Sequence, residues 1–427
     1  MILGPLAALT AALVVVAVTR GSPSDTSVEL EASEWSEVVE GVFGAPSTAS
    51  VTDQVDGAAN GAVVPAEAAL SSTTTTTTTT TIPLPLVPDD GKTSDERVLV
   101  DAFIVEDADL QPKSIVASGD GLFFAQNMMY RHNVAIYDRA GNKLATIPDE
   151  VDLAAFGIGD GVVQGSPVEA AFTPDGRFVY VSNYKIFGNG YSAVADDGCD
   201  RGNWEDSFVY KIDVATFEIV AVIPTGAVPK FMAVSPDGST LVVSNWCGFD
   251  VSFIDTASDT EVARVDVGRH PRGVAIDKDS EVAYVTVMGE HRIDVLGLQS
   301  HNLLRSFETD VSGTTPRHIL LSDDDRYLYV SNHKMNMVRK IDLSAGVVVG
   351  TARTGTETRT MALSDDGKSL YVVNYQDGTV SKVRTSDMEI LQTVQSGVHP
   401  VGITYDADTR QVWVANYAGT LRVFRDE

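Results

Sequence analysis

The chain has 427 residues and a formal charge of −28, from 59 acidic and 31 basic side chains, with two cysteines and 44% hydrophobic residues. A surface this acidic excludes generic binding to duplex nucleic acid or anionic lipid, both of which need a positive field. Two cysteines exclude a disulfide-rich scaffold and a four-cysteine zinc site, and the apolar fraction is ample for a large core.

Residues 2–19 carry no charge, and Arg20 follows them. The apolar run 6–18 has the length of a signal-peptide core and is marginal for a membrane span, so 1–20 is expected to be a signal peptide or an N-terminal membrane anchor. An exported protein, extracellular or in the cell envelope, is the reading that follows. From 21 to 96 there are 13 acidic residues against one base, Lys92. This segment also holds nine threonines at 73–81 and prolines at 83, 85 and 88. It has too little apolar surface to offset ordering entropy, so 21–96 is expected to be an acidic, Thr/Pro-rich disordered linker, either a plain spacer or an O-glycosylated stalk. A short helix near 29–39 is compatible with the pattern.

Self-similarity organises the rest. T-P-D-G-R-F-V-Y-V-S-N at 173–183 matches S-P-D-G-S-T-L-V-V-S-N at 235–245, with further copies at 322–332, 364–374 and 406–416. The block 277–287 keeps the pattern without its final asparagine, and a weaker copy spans 118–127. Block ends at 127, 183, 245, 287, 332, 374 and 416 are spaced by 56, 62, 42, 45, 42 and 42 residues. The unit is therefore about 42 residues with two insertions. Each unit reads as four short strands; in the third they are 231–234, 241–244, 251–255 and 261–267. The aspartates Asp175, Asp237, Asp279, Asp324, Asp366 and Asp408 share one place in the unit. Aspartate there bonds the backbone two residues on and glycine supplies positive φ, so these residues are turn builders.

Seven four-stranded units of this length predict an all-β, seven-bladed β-propeller over 97–427. The seventh unit has three strands, and an orphan β-rich segment, R-V-L-V-D-A-F-I-V at 97–105, precedes the first. Pairing this N-terminal strand with the last blade closes the ring and removes two exposed sheet edges.

The phrases Y-V-S-N at 180–183 and 329–332, Y-V-V-N at 371–374 and W-V-A-N at 413–416 resemble the YVTN-repeat β-propellers, including bacterial YncE-like proteins. The resemblance covers about 97–427. It implies the fold, while related propellers range from lactone hydrolases and haem or copper respiratory enzymes to quinoprotein subunits and binding proteins.

Loops from strand four to the next strand one, and from strand two to three, open on one face of a propeller, here called the top. The proline that begins six of the units lies there, with Thr358 in its place in the sixth, and the next residues are Lys113, Val168, Lys230, Arg272, Arg317, Arg359 and Val401. Five of seven are basic in a domain with 46 acidic and 29 basic residues. They are expected to form a cationic collar at the channel mouth that takes a small anionic ligand, with His318 beside Arg317. Neutralisation by Glu169 and Glu357 is the structural alternative. His270 and His399 precede prolines, and His132, His291 and His333 fall in top loops. The loops stand apart around a ring, so solvated histidines fit this pattern better than a copper or zinc centre, and no resident metal or cofactor is expected.

The insertion 184–206 carries Asp196, Asp197, Asp200, Asn203, Glu205 and Asp206, a density of oxygens compatible with a structural calcium ion but without EF-hand spacing. Cys199 in this insertion and Cys247 in the equivalent loop of the next unit are expected to form a disulfide. Aromatic residues after the asparagines, Tyr184, Trp246, Tyr375 and Tyr417, cover blade ends or stack a ligand. No haem-attachment, nucleophile-elbow, Walker or dinucleotide motif occurs. The expected protein is a monomeric ligand-binding or protein-interaction module. The alternative is a lactonase-like or metal-dependent enzyme with His270, His318 or His399 as base.

Overall fold

The computed structural model describes residues 86–128, 130–185, 199–308 and 315–427. The expected leader or anchor at 1–20, the linker as far as residue 85, and Asp196 and Asp197 of the acidic insertion lie outside the described residues.

Each repeat folds as an antiparallel meander. In the third, Pro229–Val234, Thr240–Asn245, Asp250–Asp255 and Thr260–Asp266 pair in chain order. Leu241 to Asn245 are all buried because both faces of that strand meet neighbouring blades. The outermost strand alternates exposed and half-buried residues, as a strand with one wet face does. Among the described residues seven such sheets follow one another, and the innermost strand of each touches that of the next. The seventh touches the first, so the ring is closed. The core lies between blades; where the last meets the first, Trp413 stacks on Phe123 at 4.0 Å and receives the edge of Phe103 at 5.6 Å.

The orphan segment forms Leu99–Glu106 and pairs antiparallel with Thr420–Asp426, supplying the missing strand of the seventh blade. The second blade differs from the expected four strands. Its innermost strand, Val162–Phe172, is long enough to pair with a fifth, Glu150–Asp152. The residues between them turn through Leu153–Phe156, capped by the Asp152 side chain and ended by Gly157 at φ 69°.

The turns opposite the top are built by their aspartates. Ser235 donates to Asp237, whose Oδ1 also accepts the Ser239 N–H at 2.9 Å, and Gly238 takes φ +76°. Several of the repeated asparagines brace the top loops: the Asn374 amide donates to Thr379 at 3.0 Å and to Ser381 at 2.9 Å, and the Asn245 amide to Asp250 at 2.8 Å. Gly355 passes so near that a Cβ would meet Asn374 at 2.7 Å.

The stretch expected to be linker up to residue 96 departs from that expectation at its C-terminal end. From Leu86 onward it lies against the turn face of blades six and seven. The Val87 N–H donates to the Asp408 carbonyl at 3.1 Å, and Asp90 pairs with Arg97 at 2.7 Å and Arg410 at 3.0 Å. Ser94 donates to Asp366 through its N–H at 2.7 Å and its hydroxyl at 2.6 Å. Lys382, fully buried, donates to the carbonyls of Ser94 and Arg97 at 2.6 and 2.9 Å and to Asp426. Low apolar content reads as disorder in sequence, but here charge pairs and one buried ammonium hold the backbone.

Candidate functional site

The serine of the Y-V-S-N phrase sets the geometry of the channel mouth. The innermost strands of blades two to seven carry a register irregularity at the proline or threonine that begins the unit, as between Pro229 and Met232. Ser244 fills it by accepting the Phe231 N–H at 3.1 Å, and it donates at 2.6 Å to the carbonyl of Arg272 in the next blade. Ser182 accepts from Glu169 and reaches Lys230, and Thr286 accepts from Gly273 and reaches Arg317, in the same way. The hydroxyl thus fixes the residue bearing each collar cation relative to its neighbour. In the sixth blade Val373 replaces the serine, and Thr360 on the innermost strand donates to Val401 at 2.6 Å instead.

All seven blades contribute to one cavity at the mouth. Among the described residues its walls hold the five cations Lys113, Lys230, Arg272, Arg317 and Arg359, together with His318 and a single carboxylate, Glu169. The space is narrow, about 20 Å³ for the centre of a water-sized molecule, which is room for one or two waters as it stands. Each of the four aromatic residues that follow a repeated asparagine underlies a cation. Lys230 lies 5.3 Å over Tyr184, Arg272 5.6 Å over Trp246, Arg359 3.4 Å over Tyr375, and Lys113 5.9 Å over Tyr417. The ring faces favour these charges and hold them at the mouth.

The electrostatics follow from crowding. Burial, with Lys230, Arg272, Arg359 and Arg317 around it, drives the Lys113 ammonium well below the usual lysine range. Burial pushes the Glu169 carboxyl up to about 8, although Ser114, Arg272 and Lys113 pull the other way. Arg359 pairs with Glu357 at 3.1 Å, so the two acids weighed as neutralising partners both stand at the site. His318 is held neutral, its pKa lowered to about 3 by burial and by Arg272 and Arg317. Its Nδ1 accepts the Met361 N–H at 3.3 Å, which leaves the proton on Nε2. His333, also buried near Arg317, Arg359 and Arg272, is lowered to about 2.

The remaining histidines do not join the cavity wall. His270 stacks on Trp246 at 4.4 Å and His399 on Tyr375 at 4.3 Å, both in the left-handed conformation at φ 56°. The His132 Nδ1–H donates to the Gly165 carbonyl at 3.0 Å. Among the described residues no three His, Cys, Asp or Glu side chains stand together as a metal site. In the acidic insertion, Glu205 pairs with Lys185 at 3.3 Å and Asp206 with Arg264 at 2.8 Å. These oxygens serve ion pairs between chain segments. Cys199 and Cys247 form the expected disulfide, with Cα atoms 5.6 Å apart, and join the top loops of blades two and three.

Sequence reasoning placed the cations and His318 but missed the pairing of each aromatic with a particular cation. The alignment of the units carries that signal, because the residue after each asparagine and the residue after each proline recur in step.

Comparison with known proteins adds to the fold. A family model for the cytochrome D1 heme domain matches residues 277–423. The seven-bladed beta-propeller protein Rv1057 of Mycobacterium tuberculosis is 26% identical over 144 residues, 32% of this chain and 35% of that protein. Antigen Lp49 of Leptospira interrogans is 25% identical over 140 residues, 32% of this chain and 31% of its own length. The chain thus spans about a third of the curated relatives it matches. Among solved structures, a chain of Kuenenia stuttgartiensis hydrazine synthase superposes with a TM-score of 0.59 and 19% identity, covering 75% of this chain and 97% of that one. Fold, strand closure and these matches agree: the chain is a seven-bladed β-propeller protein, related in sequence over about a third of its length to Rv1057 and Lp49.

Proposed function

We propose that this propeller is an exported binding module that captures a small anion at the mouth of its channel. The observation that carries this reading is the convergence of Lys113, Lys230, Arg272, Arg317 and Arg359 on one cavity, in a domain where acids outnumber bases. Cations gathered within low-dielectric walls concentrate a positive field, and a bound anion relieves their mutual repulsion. The neutral His318, with its proton on Nε2, adds a hydrogen-bond donor of no charge. The narrowness of the cavity favours a compact ligand such as a carboxylate or an inorganic oxyanion. Export is supported by the disulfide, which persists in oxidising compartments, and by the likeness to a protein named as an antigen.

Haem, named in the matching family model, does not fit this site. The cavity has room for waters rather than a macrocycle, and its one described imidazole already accepts a backbone hydrogen bond. A hydrolytic reading has one observation in its favour, the neutral His318 beside two arginines. Loss of lactone turnover in His318→Ala with anion binding intact would favour it.

Titration calorimetry with sulfate, phosphate and succinate tests the main reading. Arg272→Glu and Arg317→Glu each replace an attractive charge by a repulsive one, and affinity should fall by about 100-fold or more for each. Anion binding of unchanged strength in both folded variants overturns the proposal.

A further inference from the structure

The turn-side groove between blades six and seven is filled by the chain's own Ser94–Glu96 turn. Ser94 reaches Asp366 through its N–H and its hydroxyl, and Lys382 on the floor donates to the Ser94 and Arg97 carbonyls. The groove between blades two and three repeats the wall contributed by the earlier blade, with Phe178 in place of Ser369. Thr173 and Asp175 stand where Ser364 and Asp366 stand, Tyr180 stands for Tyr371, and Lys211 for Lys382. Strand register fixes the equivalence, since Phe178 pairs with Asp213 as Ser369 pairs with Arg384. The two acceptors are also set alike by their own turns. Asp175 receives Thr173 at 2.6 Å and the Arg177 N–H at 3.1 Å, while Asp366 receives Ser364 at 2.7 Å and the Lys368 N–H at 3.0 Å. Between blades two and three, however, this space is a cavity of about 290 Å³.

One difference sets what the cavity would take. In the filled groove Asp95, which follows Ser94, pairs with Arg384 at 3.5 Å. At the equivalent place the second blade has Asp213, and Asp237 stands on the rim. We propose that the groove between blades two and three docks a peptide segment of a partner protein in which a serine or threonine is followed by lysine or arginine. The hydroxyl and N–H of the first residue go to Asp175, as those of Ser94 go to Asp366. Its carbonyl goes to the Lys211 ammonium, in exchange for one of the bonds Lys211 makes to Asp259 at 2.9 and 3.0 Å. The basic side chain then meets Asp213, where an acidic one would be repelled. This charge preference makes the acidic N-terminal segment of a second copy the wrong occupant.

The test uses fluorescence anisotropy on the full chain with two labelled peptides, residues 92–98 and the same peptide carrying Asp95→Lys. The Asp95→Lys peptide should bind about tenfold more tightly, through loss of one repulsion and gain of one attraction. Lys211→Met should abolish the binding. Asp213→Asn keeps the acceptor for the Ala215 and Thr216 N–H groups and should remove the preference between peptides. Arg272→Glu at the channel mouth should leave peptide binding unchanged, which separates this site from the anion site. No binding at millimolar peptide, equal binding of the two peptides, or binding indifferent to Lys211→Met in folded protein overturns the proposal. Preference for the unaltered peptide also overturns it and assigns the groove to a second copy.

Discussion

Glu169 is the residue whose protonation matters most to the channel mouth. With its pKa raised from 4.5 to about 8, it is largely neutral at pH 7 and adds little negative charge to the collar. As pH rises through about 8 it ionises beside the proposed anion, while Lys113, lowered from the usual lysine value, loses its proton more readily. Both changes act in one direction, so anion affinity should fall as pH rises through about 8. Glu169→Gln should flatten that fall and tighten binding above pH 8, as calorimetry across pH 6 to 9.5 would read. A fall in affinity that is the same with and without the substitution would reject the role of Glu169. The same group bears on folding. Its stabilising contribution is fully present below pH 4.5 and is lost as pH rises through about 8, because the folded state holds the proton more tightly than the unfolded chain. At this scale the sequence was informative wherever a repeat fixed the position. The cations at the second position of the units were legible for that reason. The stacking of His270 on Trp246 and of His399 on Tyr375 was not, because it depends on left-handed turns that bring residues of neighbouring units face to face.

Between one blade and the next, the hydroxyl clamp is the connecting element. Ser244→Ala leaves the Arg272 carbonyl and the Phe231 N–H without their shared partner in a buried place. A loss of about 1–3 kcal/mol in denaturant unfolding is expected. Anion affinity should fall with it, because the clamp sets Arg272 relative to Lys230; a stability change with unaltered affinity would separate the two roles. The Cys199–Cys247 bridge closes a sequence separation of 48 residues, for which chain-entropy arguments give about 4 kcal/mol. Cys199→Ser with Cys247→Ser should lower unfolding free energy by up to that amount without changing the strand content seen by circular dichroism. The blade unit, its turns and the disulfide were readable because each is made within one repeat or between adjacent ones. The fifth strand of blade two was hidden, since Glu150–Asp152 pairs with an extension of a neighbouring strand that no other repeat has.

For the whole ring, closure and the segment from Leu86 act together. Lys382 and Asp426 are fully buried, and removing a partner from such a pair costs about 3–5 kcal/mol. Truncation of residues 1–85 should leave the thermal midpoint of the propeller unchanged. Truncation of 1–98 removes the Ser94 and Arg97 carbonyls from Lys382 and should lower the midpoint sharply; equal midpoints for the two would show that the segment is ornamental. The acidic composition of 86–96 concealed this role, because Asp90 and Ser94 find their partners more than 270 positions away, at Arg410 and Asp366. The placement of that segment has a mechanical consequence. Tension applied from the N-terminal side enters the ring at the turn face, opposite the channel mouth. It passes first through the charge pairs of Asp90 and the buried peg of Lys382. It then runs along Leu99–Glu106, whose ladder to Thr420–Asp426 it loads in shear. The seam that closes the ring therefore also carries the force, and the channel mouth points away from the pull.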